Sequence, residues 1–215
     1  MKKSLLLLAF AALAASASAQ VTGALGGDPG APYATFGPNG ACTVGTPCTL
    51  TGSTNSATIV GGTVYSADQP FADIPAGTIG SFLAAGPSST EPAVMTFAEA
   101  TNAVSFLWGS PDTYNILTVM TTLGNVVFTT ASLGIVPSTG DQSFGQYVRF
   151  AADAGVGLLG LSFNNGTGID AFEVSNFNRI TGTPVVAVPE PETYALFGAG
   201  LAAVAFIRRR RNKQA

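Results

Sequence analysis

Short runs in which hydrophobic and polar residues alternate recur along the middle of the chain, and glycine, asparagine or proline separates them. Alternation with a period of two is typical of a strand that buries one face, and the separating residues are typical of turns. The predicted strands are Ala57–Tyr65, Thr78–Leu83, Ala93–Ala98, Ala103–Trp108, Tyr114–Thr121, Val126–Ala131, Gln146–Ala151, Gly157–Phe163 and Ala171–Phe177. No amphipathic helix of ten or more residues lies between them. The pattern therefore predicts an all-β fold, an antiparallel β-sandwich of jelly-roll type.

Two turn signals predict which strands are neighbours. Leu123-Gly124-Asn125 lies between Tyr114–Thr121 and Val126–Ala131, and Asn164-Asn165-Gly166 follows Gly157–Phe163. Glycine beside asparagine is a hairpin signal, because both residues adopt the backbone angles that tight turns require. We expect a hairpin at each position.

Side-chain orientation and one local helix are also predicted. In the last strand, Phe172 and Val174 are expected to point inward, and Glu173 and Ser175 outward, because side chains alternate between the two faces of a strand. Asp68–Pro75 is expected to form one short helical turn.

The first 19 residues have the features of a secretory signal peptide. Lys2 and Lys3 precede an apolar run from Leu5 to Ala15, and Ala17-Ser18-Ala19 matches the small-residue pattern before a cleavage site. The mature chain is expected to begin at Gln20. The alternative is a retained N-terminal anchor, for which the apolar run is short.

The C-terminal residues 188–215 have three ordered features: a proline-rich motif at 188–192, an apolar run at 194–207 and a basic cluster at 208–211. The motif contains Pro189, Glu190 and Pro191, and the basic cluster is Arg208, Arg209, Arg210 and Arg211. An uncharged apolar helix followed by arginines is typical of a membrane segment whose basic end stays in the cytoplasm. A helix over 194–207 would cover about 21 Å of a hydrocarbon core of roughly 30 Å, so the flanking residues must snorkel to complete the span. The alternative is a buried C-terminal core helix.

This order of features resembles the PEP-CTERM tail of exosortase-dependent bacterial surface proteins. The resemblance implies that a membrane-embedded exosortase recognises the tail near Glu190 and removes the helix. It also implies export through the inner membrane, anchoring there before processing, and a final location at the cell surface or outside the cell. Such proteins often accompany exopolysaccharide production. Residues 20–187 would then form the β-sandwich ectodomain.

The charge of the ectodomain excludes one class of partner. Residues 20–188 contain ten acidic residues against Arg149 and Arg179, a net charge of −8. Such a surface repels phosphate backbones, so neither nucleic acid nor anionic lipid is an expected partner.

The two cysteines lie close together in a region of little pattern. Residues 21–56 are rich in Gly, Pro, Thr and Ser, and we interpret them as loop and edge structure. Cys42 and Cys48, an even pair in an exported chain, are expected to form a disulfide that closes a small loop. A metal or redox role is the alternative, but the spacing is not Cys-x-x-Cys and the chain has no histidine.

The absence of histidine also excludes Ser-His-Asp and Cys-His triads and His-ligated zinc. No glycine-rich phosphate loop leads from a strand into a helix, so no nucleotide cofactor is expected, and no other cofactor or metal is predicted. A glycosidase-type carboxylate pair stays open. Its candidates are Asp112, Asp141, Asp153, Asp170 and Glu173.

The stretch around Trp108 is the candidate carbohydrate contact. An exposed indole beside Asp112, Tyr114 and Asn115 can stack on a sugar ring and hydrogen-bond its hydroxyl groups. The alternative is that Trp108 is a core aromatic, because it ends an alternating run that contains Val104 and Phe106, and that the following residues form an ordinary turn.

Two minor possibilities involve the region around Asn165. Oxygen atoms of Asn164, Asn165, Asp170 or Asp112 can in principle bind calcium, although the spacing of known calcium loops is missing. Asn165-Gly166-Thr167 matches the glycosylation sequon, and the alternative is a turn.

Three segments of the ectodomain are similar to a group of exosortase-dependent surface proteins: Trp108 to Asn115, Gln146 to Phe150 and Ala171 to Phe177. This similarity implies the class of ectodomain and no specific chemistry.

Two hypotheses for function follow. The first is a non-enzymatic surface or extracellular-matrix protein that associates with exopolysaccharide in a biofilm. The second is a secreted carbohydrate-active enzyme that uses a carboxylate pair.

Overall fold

The computed structural model describes residues 20–27, 33–53, 55–87, 91–166 and 170–180. The predicted signal peptide and the predicted C-terminal helix lie outside these ranges. The strands are β1 (Val21–Leu25), β2 (Thr35–Phe36), β3 (Gly40–Ala41), β4 (Cys48–Thr51), β5 (Ser56–Val60), β6 (Thr63–Tyr65), β7 (Phe82–Ala85), β8 (Ala93–Thr101), β9 (Ala103–Gly109), β10 (Ile116–Thr121), β11 (Gly124–Thr129), β12 (Gly145–Ala152), β13 (Leu158–Asn164) and β14 (Phe172–Ile180). The helix α1 (Thr130–Leu133) follows β11.

The strands form two seven-stranded sheets in which the neighbouring strands are antiparallel. The first sheet has the order β1-β12-β9-β14-β7-β6-β3, and the second has the order β11-β10-β13-β8-β5-β4-β2. The predicted all-β antiparallel sandwich is confirmed. Residues 21–56 contain four of the strands, so their interpretation as loop and edge was incomplete. Strands β1, β2 and β3 lie at sheet edges and pair with strands that do not follow them directly in the chain, whereas β4 pairs with the next strand, β5.

The predicted strand Ala57–Tyr65 is two strands that belong to different sheets. It breaks at Gly61-Gly62, where both residues have positive φ, 81° and 72°. A Cβ atom on Gly62 would lie 2.9 Å from the carbonyl oxygen of Ala84, so only glycine fits at this crossing, the point where the chain passes from the second sheet to the first. Hydrogen bonds from Gly61 to Cys42 and from Cys42 to Gly62 hold the crossing against the cysteine loop. The predicted Cys42–Cys48 disulfide is present there.

The core between the sheets is built around stacked aromatic rings. Phe106 stacks on Phe150 and Phe177, with ring centroids 5.9 and 5.0 Å away, and the edge of Phe163 meets Phe106 at 5.7 Å. Phe163 comes from the second sheet and the other three rings come from the first, so the cluster joins the two sheets. All four side chains are fully buried.

The outer face of the first sheet is covered as well, so side chains that point away from the sandwich core are still buried. Glu173 and Ser175 point away from the sandwich core, but they are 1 % and 0 % exposed. The segment 66–81 lies across them. In it, Pro75 packs against Gly109, and the Thr78 hydroxyl is 2.7 Å from that of Ser175. Strand alternation predicted the direction of these side chains correctly, but their exposure depends on a segment that the alternation does not describe.

A small apolar cluster lies between this covering segment and the first sheet. Ala72, Phe82, Ala84 and Ala171 are fully buried in it, and three partly buried side chains surround them. The predicted helical turn at Asp68–Pro75 is not formed. Gln69 instead makes an antiparallel bridge with Ala72 across a tight turn, and the Asp68 carboxylate accepts a hydrogen bond from the backbone of Ile74.

The helix lies elsewhere, at α1, where the predicted strand Val126–Ala131 ends early. Thr129 and Ser132 form a reciprocal capping box, which favours a helix start over a further strand residue. The predicted β10–β11 hairpin is confirmed, with Thr122 and Leu123 at its tip. The Asn164–Gly166 turn does not make a hairpin, because β13 and β14 belong to different sheets.

The crossing glycine leads to a prediction about stability. Gly62 and Gly134 have nearly the same φ, 72° and 71°, but a Cβ atom on Gly134 would meet no atom within 4 Å. We expect Gly134→Ala to cost about 1–2 kcal/mol of unfolding free energy, the penalty of a left-handed backbone. Gly62→Ala should cost a further 1–3 kcal/mol or so from overpacking. Urea unfolding followed by circular dichroism compares the two, and equal losses would contradict the crowded crossing.

Candidate functional site

The predicted carbohydrate contact is brought together by the fold but is not on the surface. Trp108 is completely buried, and its indole stacks on the ring of Phe172 with centroids 4.3 Å apart. The indole nitrogen donates a hydrogen bond to Asn115 Oδ1 at 3.3 Å. The Trp108 ring therefore has no free face for a sugar, and the alternative interpretation as a core aromatic is the correct one.

Asn115 links this indole to the turn that follows β9. Its Oδ1 also accepts a hydrogen bond from the Asp112 backbone at 2.9 Å, and its own N–H donates to the Asp112 carbonyl at 3.2 Å. Asn115 is fully buried and Asp112 is 7 % exposed. Tyr114 is half-buried, and its hydroxyl bonds the Asp112 side chain. These three residues brace the turn from inside.

The surroundings of Asp112 and Tyr114 raise the pKa of both side chains. Burial raises the pKa of Asp112, and the charge of Asp170 adds to the rise, while the hydrogen bond from Tyr114 opposes it. Burial and the bond to Asp112 raise the pKa of Tyr114 above its usual value, so the phenol stays protonated and acts as the donor.

Glu173 in β14 is the most perturbed carboxyl group. Its Oε2 accepts a hydrogen bond from the Ser110 hydroxyl at 2.7 Å. Burial raises the pKa of Glu173 to about 9, the Ser110 bond lowers it in part, and the charges of Asp112 and Asp170 raise it further. The group is therefore neutral at pH 7.

Three polar atoms in this region lack a hydrogen-bond partner among the residues that the structure describes. They are Asp112 Oδ2, Asn115 Nδ2 and Glu173 Oε1. A buried polar atom without a partner costs free energy, because it loses its hydrogen bonds to water.

Of the other candidate acids, Asp170 lies near Asp112 and Glu173, and its charge raises the pKa of both groups. Asp141 lies on an exposed turn, where the Ser143 backbone and hydroxyl bind its Oδ1 and lower the pKa of the carboxyl group. Asp153 and Asp170 are partly exposed. Within the described ranges, no group of three Cys, Asp or Glu side chains is placed to hold a metal ion.

The amides proposed as calcium ligands or as a glycosylation site have local roles. Asn164 Oδ1 accepts a hydrogen bond from the Gly166 backbone at 2.7 Å, and Asn165 Nδ2 donates to the Asp170 carbonyl at 3.1 Å. Asn165 is 1 % exposed, so its amide is enclosed in the turn. Thr167 of the sequon lies outside the described residues.

The structure reveals a groove that the sequence pattern did not indicate. It has a volume of about 210 Å³, and its lining residues are Tyr33, Ala34, Thr35, Phe36, Ile79, Gly80 and Ser81. Apolar surface dominates the groove, and none of the lining side chains is charged. One wall is the start of β2 and the other is the end of the covering segment, more than 40 residues later. No local pattern joins two such distant segments.

Asn176 fixes the shape of this groove. It adopts a left-handed φ of 49°, at the point where the register of β14 shifts. Its Oδ1 accepts a hydrogen bond from the Ile79 backbone at 2.8 Å, and its Nδ2 donates to the Gly77 carbonyl and to the Tyr147 hydroxyl at 2.8 and 2.9 Å. The Tyr147 hydroxyl is 3.0 Å from that of Tyr33. One side chain thus positions both walls.

Polar groups continue the groove beyond Ser81. The Ser81 hydroxyl donates to Asn39 Oδ1 at 3.1 Å, and Asn39 Nδ2 donates to the Ser66 hydroxyl at 2.7 Å. Both hydrogen bonds are solvent-exposed, so these hydroxyl and amide groups can exchange partners with a ligand.

Comparison with known proteins adds information about the C-terminus. Residues 187–211 match the model of the PEP-CTERM protein-sorting motif. The chain carries a PEP-CTERM sorting motif. The match includes Glu190 and its flanking prolines, the apolar run and the four arginines.

This motif indicates exosortase-dependent sorting of an exported protein, with C-terminal membrane anchoring before processing. No curated protein and no solved structure gives a significant match to the chain. In the part of the chain that the structure describes, no helix is long and apolar enough to cross a membrane. The predicted helix 194–207 lies beyond that part.

Glu173 leads to a prediction about pH. Its pKa is about 9 in the folded chain against 4.5 as the ordinary value, so between these pH values the folded state holds a proton that the unfolded state releases. Rising pH therefore favours unfolding, by up to about 1.4 kcal/mol per pH unit. Glu173→Gln keeps the neutral shape and removes this dependence.

The measurement is the unfolding free energy of both proteins in urea at about pH 5 and about pH 8. We expect Glu173→Gln to gain stability relative to the wild type as the pH rises. The other carboxyl groups affect both proteins equally. A difference between the two proteins that is the same at both pH values would show that Glu173 is not buried in its neutral form.

Proposed function

We propose that this chain is a non-enzymatic component of the bacterial surface or extracellular matrix, and that its β-sandwich binds exopolysaccharide in the Tyr33–Ser81 groove. The sorting motif supports the location, and the uncharged aromatic groove supports the ligand class. The observation that carries the proposal is the groove.

The chemistry of the groove suits a sugar. Tyr33 and Phe36 offer aromatic surface on which the C–H face of a sugar ring stacks, while Ser81 and Asn39 offer hydroxyl and amide groups for its hydroxyls. At about 210 Å³ the groove is smaller than the roughly 300–1,000 Å³ of clefts that enclose a drug-sized ligand. It therefore fits one or two units of a longer chain.

The negative charge of the ectodomain favours a neutral polysaccharide over an acidic one as the ligand. Residues 20–188 have a net charge of −8, which repels uronic acid or phosphate groups along a polymer. A neutral chain meets no such penalty, and the groove has no cation that would compensate an acidic one.

Catalysis is not part of the proposal. The raised pKa of Glu173 is what a general acid in a glycosidase needs, and Asp112 lies near enough to influence it. Both carboxyl groups are nevertheless buried, at 1 % and 7 % exposure, beneath the covering segment and the turn at Asp112. A substrate would have no path to them without moving that segment. A carbohydrate-active enzyme is the alternative function, and release of sugar fragments by the purified protein would support it.

Processing of the tail can be tested by mass. We expect the mature protein from the native host to begin at Gln20 and end between Pro189 and Pro191, because removal of the signal peptide and of the C-terminal helix predicts those ends. Deletion of Arg208–Arg211 should leave the tail uncleaved. Intact mass spectrometry of both forms provides the test, and a wild-type mass that extends to Ala215 would contradict release.

Binding in the groove can be tested by affinity electrophoresis. The mature protein is run through native gels that contain the extracellular polysaccharide of the producing strain, a neutral glucan or an anionic alginate. We expect retardation by the strain's polysaccharide or the glucan and none by alginate. Tyr33→Ala should weaken binding by at least about tenfold, because it removes the aromatic wall.

Tyr65→Ala is the matched control, since Tyr65 is a half-exposed tyrosine that packs on Phe82 outside the groove. Circular dichroism confirms that both variants are folded. The groove assignment fails if the wild type is not retarded, or if Tyr33→Ala and Tyr65→Ala bind equally well.

A further inference from the structure

Strand β11 forms one edge of the second sheet, and it lacks the features that usually protect an edge. It pairs with β10 in an uninterrupted register and has no other neighbour among the described strands. Its six residues include no lysine, no other charged residue and no proline. Proteins that avoid edge pairing normally place a charge, a proline or a bulge at this position.

The backbone groups that β11 leaves unpaired can be assigned from the hairpin. A two-residue turn closes with Thr121 opposite Gly124, so the pairs Thr121–Gly124, Val119–Val126 and Leu117–Phe128 exchange hydrogen bonds in the ladder. The N–H and C=O groups of Asn125 and Val127 therefore point away from β10. The next outward N–H, that of Thr129, is bound by Ser132 Oγ at 2.8 Å.

The charge pattern identifies the partner. No charged residue occurs between Thr113 and Gly140, although residues 20–188 have a net charge of −8. Two copies of this chain repel each other wherever their carboxylates approach, and the segment that contains β11 carries no carboxylate. The same surface exposes Leu123 to 63 %, Val127 to 58 % and Val136 to 82 %.

The remaining sheet edges of the described chain are less suitable. Strands β2 and β3 have two residues each, which is too short for a stable ladder. In β1, Leu133 of α1 and Phe128 pack on the face of the strand at Gly23, and β1 has five residues against six in β11. Of the four edge strands, β11 is the longest.

We propose that two copies of the chain pair through β11 in antiparallel orientation. Val126 lies at the twofold axis, and Asn125 of each copy exchanges two hydrogen bonds with Val127 of the other, four bonds in all. The second sheet of one copy and the second sheet of the other, with seven strands each, then form one continuous sheet of fourteen strands. The contact uses the same surface on both copies, so it closes at a dimer. This inference does not depend on the sugar groove.

The test is sedimentation velocity on the form purified from the native host, up to roughly 200 μM. We expect a dimer that dissociates on dilution. Val127→Lys should raise its dissociation constant by at least about tenfold, because it puts a charge on the edge. Val44→Lys is the matched control, since Val44 is 86 % exposed in the disulfide loop and the substitution changes the net charge equally. That control should dimerise like the wild type.

Val127→Pro gives an independent check. The Val127 N–H points away from β10, so proline removes a bond to the second copy and leaves the β10–β11 hydrogen bonds in place. A monomeric and folded Val127→Pro protein supports the proposal. A wild type that stays monomeric throughout the concentration range overturns it, as does a dimer that survives Val127→Lys or is lost equally with Val44→Lys.

Discussion

The aromatic cluster between the two sheets is the interaction on which the rest of the structure depends. Phe163 of the second sheet meets Phe106, Phe172 and Phe177 of the first, with ring centroids 5.3 to 6.3 Å apart. Edge-to-face and stacked ring pairs each contribute about 0.5–1.5 kcal/mol beyond the burial of their area. Because these rings sit in strands that are distant in sequence, the cluster fixes how the sheets align, and Trp108 extends it by stacking on Phe172.

Burial of the first sheet on both faces determines the chemistry that is available. Strands β9 and β14 place the aromatic rings inward, and the alternate residues then face the covering segment 66–81. A carboxylate in that second interior loses its solvation, so Glu173 is neutral at pH 7 and needs the Ser110 hydroxyl as a partner. Glu173 and Asp112, two of the candidate acids for catalysis, are therefore enclosed by the fold. The groove at Tyr33 forms where the same covering segment ends. Asn176 of β14 holds the end of that segment through hydrogen bonds to Gly77 and Ile79.

The two proposed surfaces lie on opposite edges of the second sheet. Strand β2, which contributes to the groove, is the last strand at one edge, and β11 is the last strand at the other. Pairing through β11 would leave both grooves at the outer ends of the dimer. A dimer with two sugar-binding grooves would engage two polymer chains, or one chain twice, and its apparent affinity would exceed that of one groove. Such a particle suits a matrix into which the sorting signal would release it.

The sequence by itself determined the features that depend on local pattern and chemistry. Alternation in Ala103–Trp108 and Ala171–Phe177 predicted strands, because a two-residue period marks a half-buried strand wherever it occurs. The short Cys42–Cys48 spacing predicted the disulfide. The order of proline motif, apolar run and arginines resembles a sorting tail, and residues 187–211 match the model of that motif.

Only the tertiary structure decided which surfaces are buried and which segments meet. Glu173 and Trp108 carried patterns that fit an exposed acid and an exposed aromatic, and the covering segment and Phe172 enclose them. The break at Gly61-Gly62 divides a run that was predicted as one strand, because only the pairing with distant strands places β5 and β6 in different sheets. The Tyr33 groove and the unprotected edge of β11 are created by contacts or absent neighbours far away in the chain. Local periodicity describes the direction of a side chain, and only the packing of distant segments determines what that side chain faces.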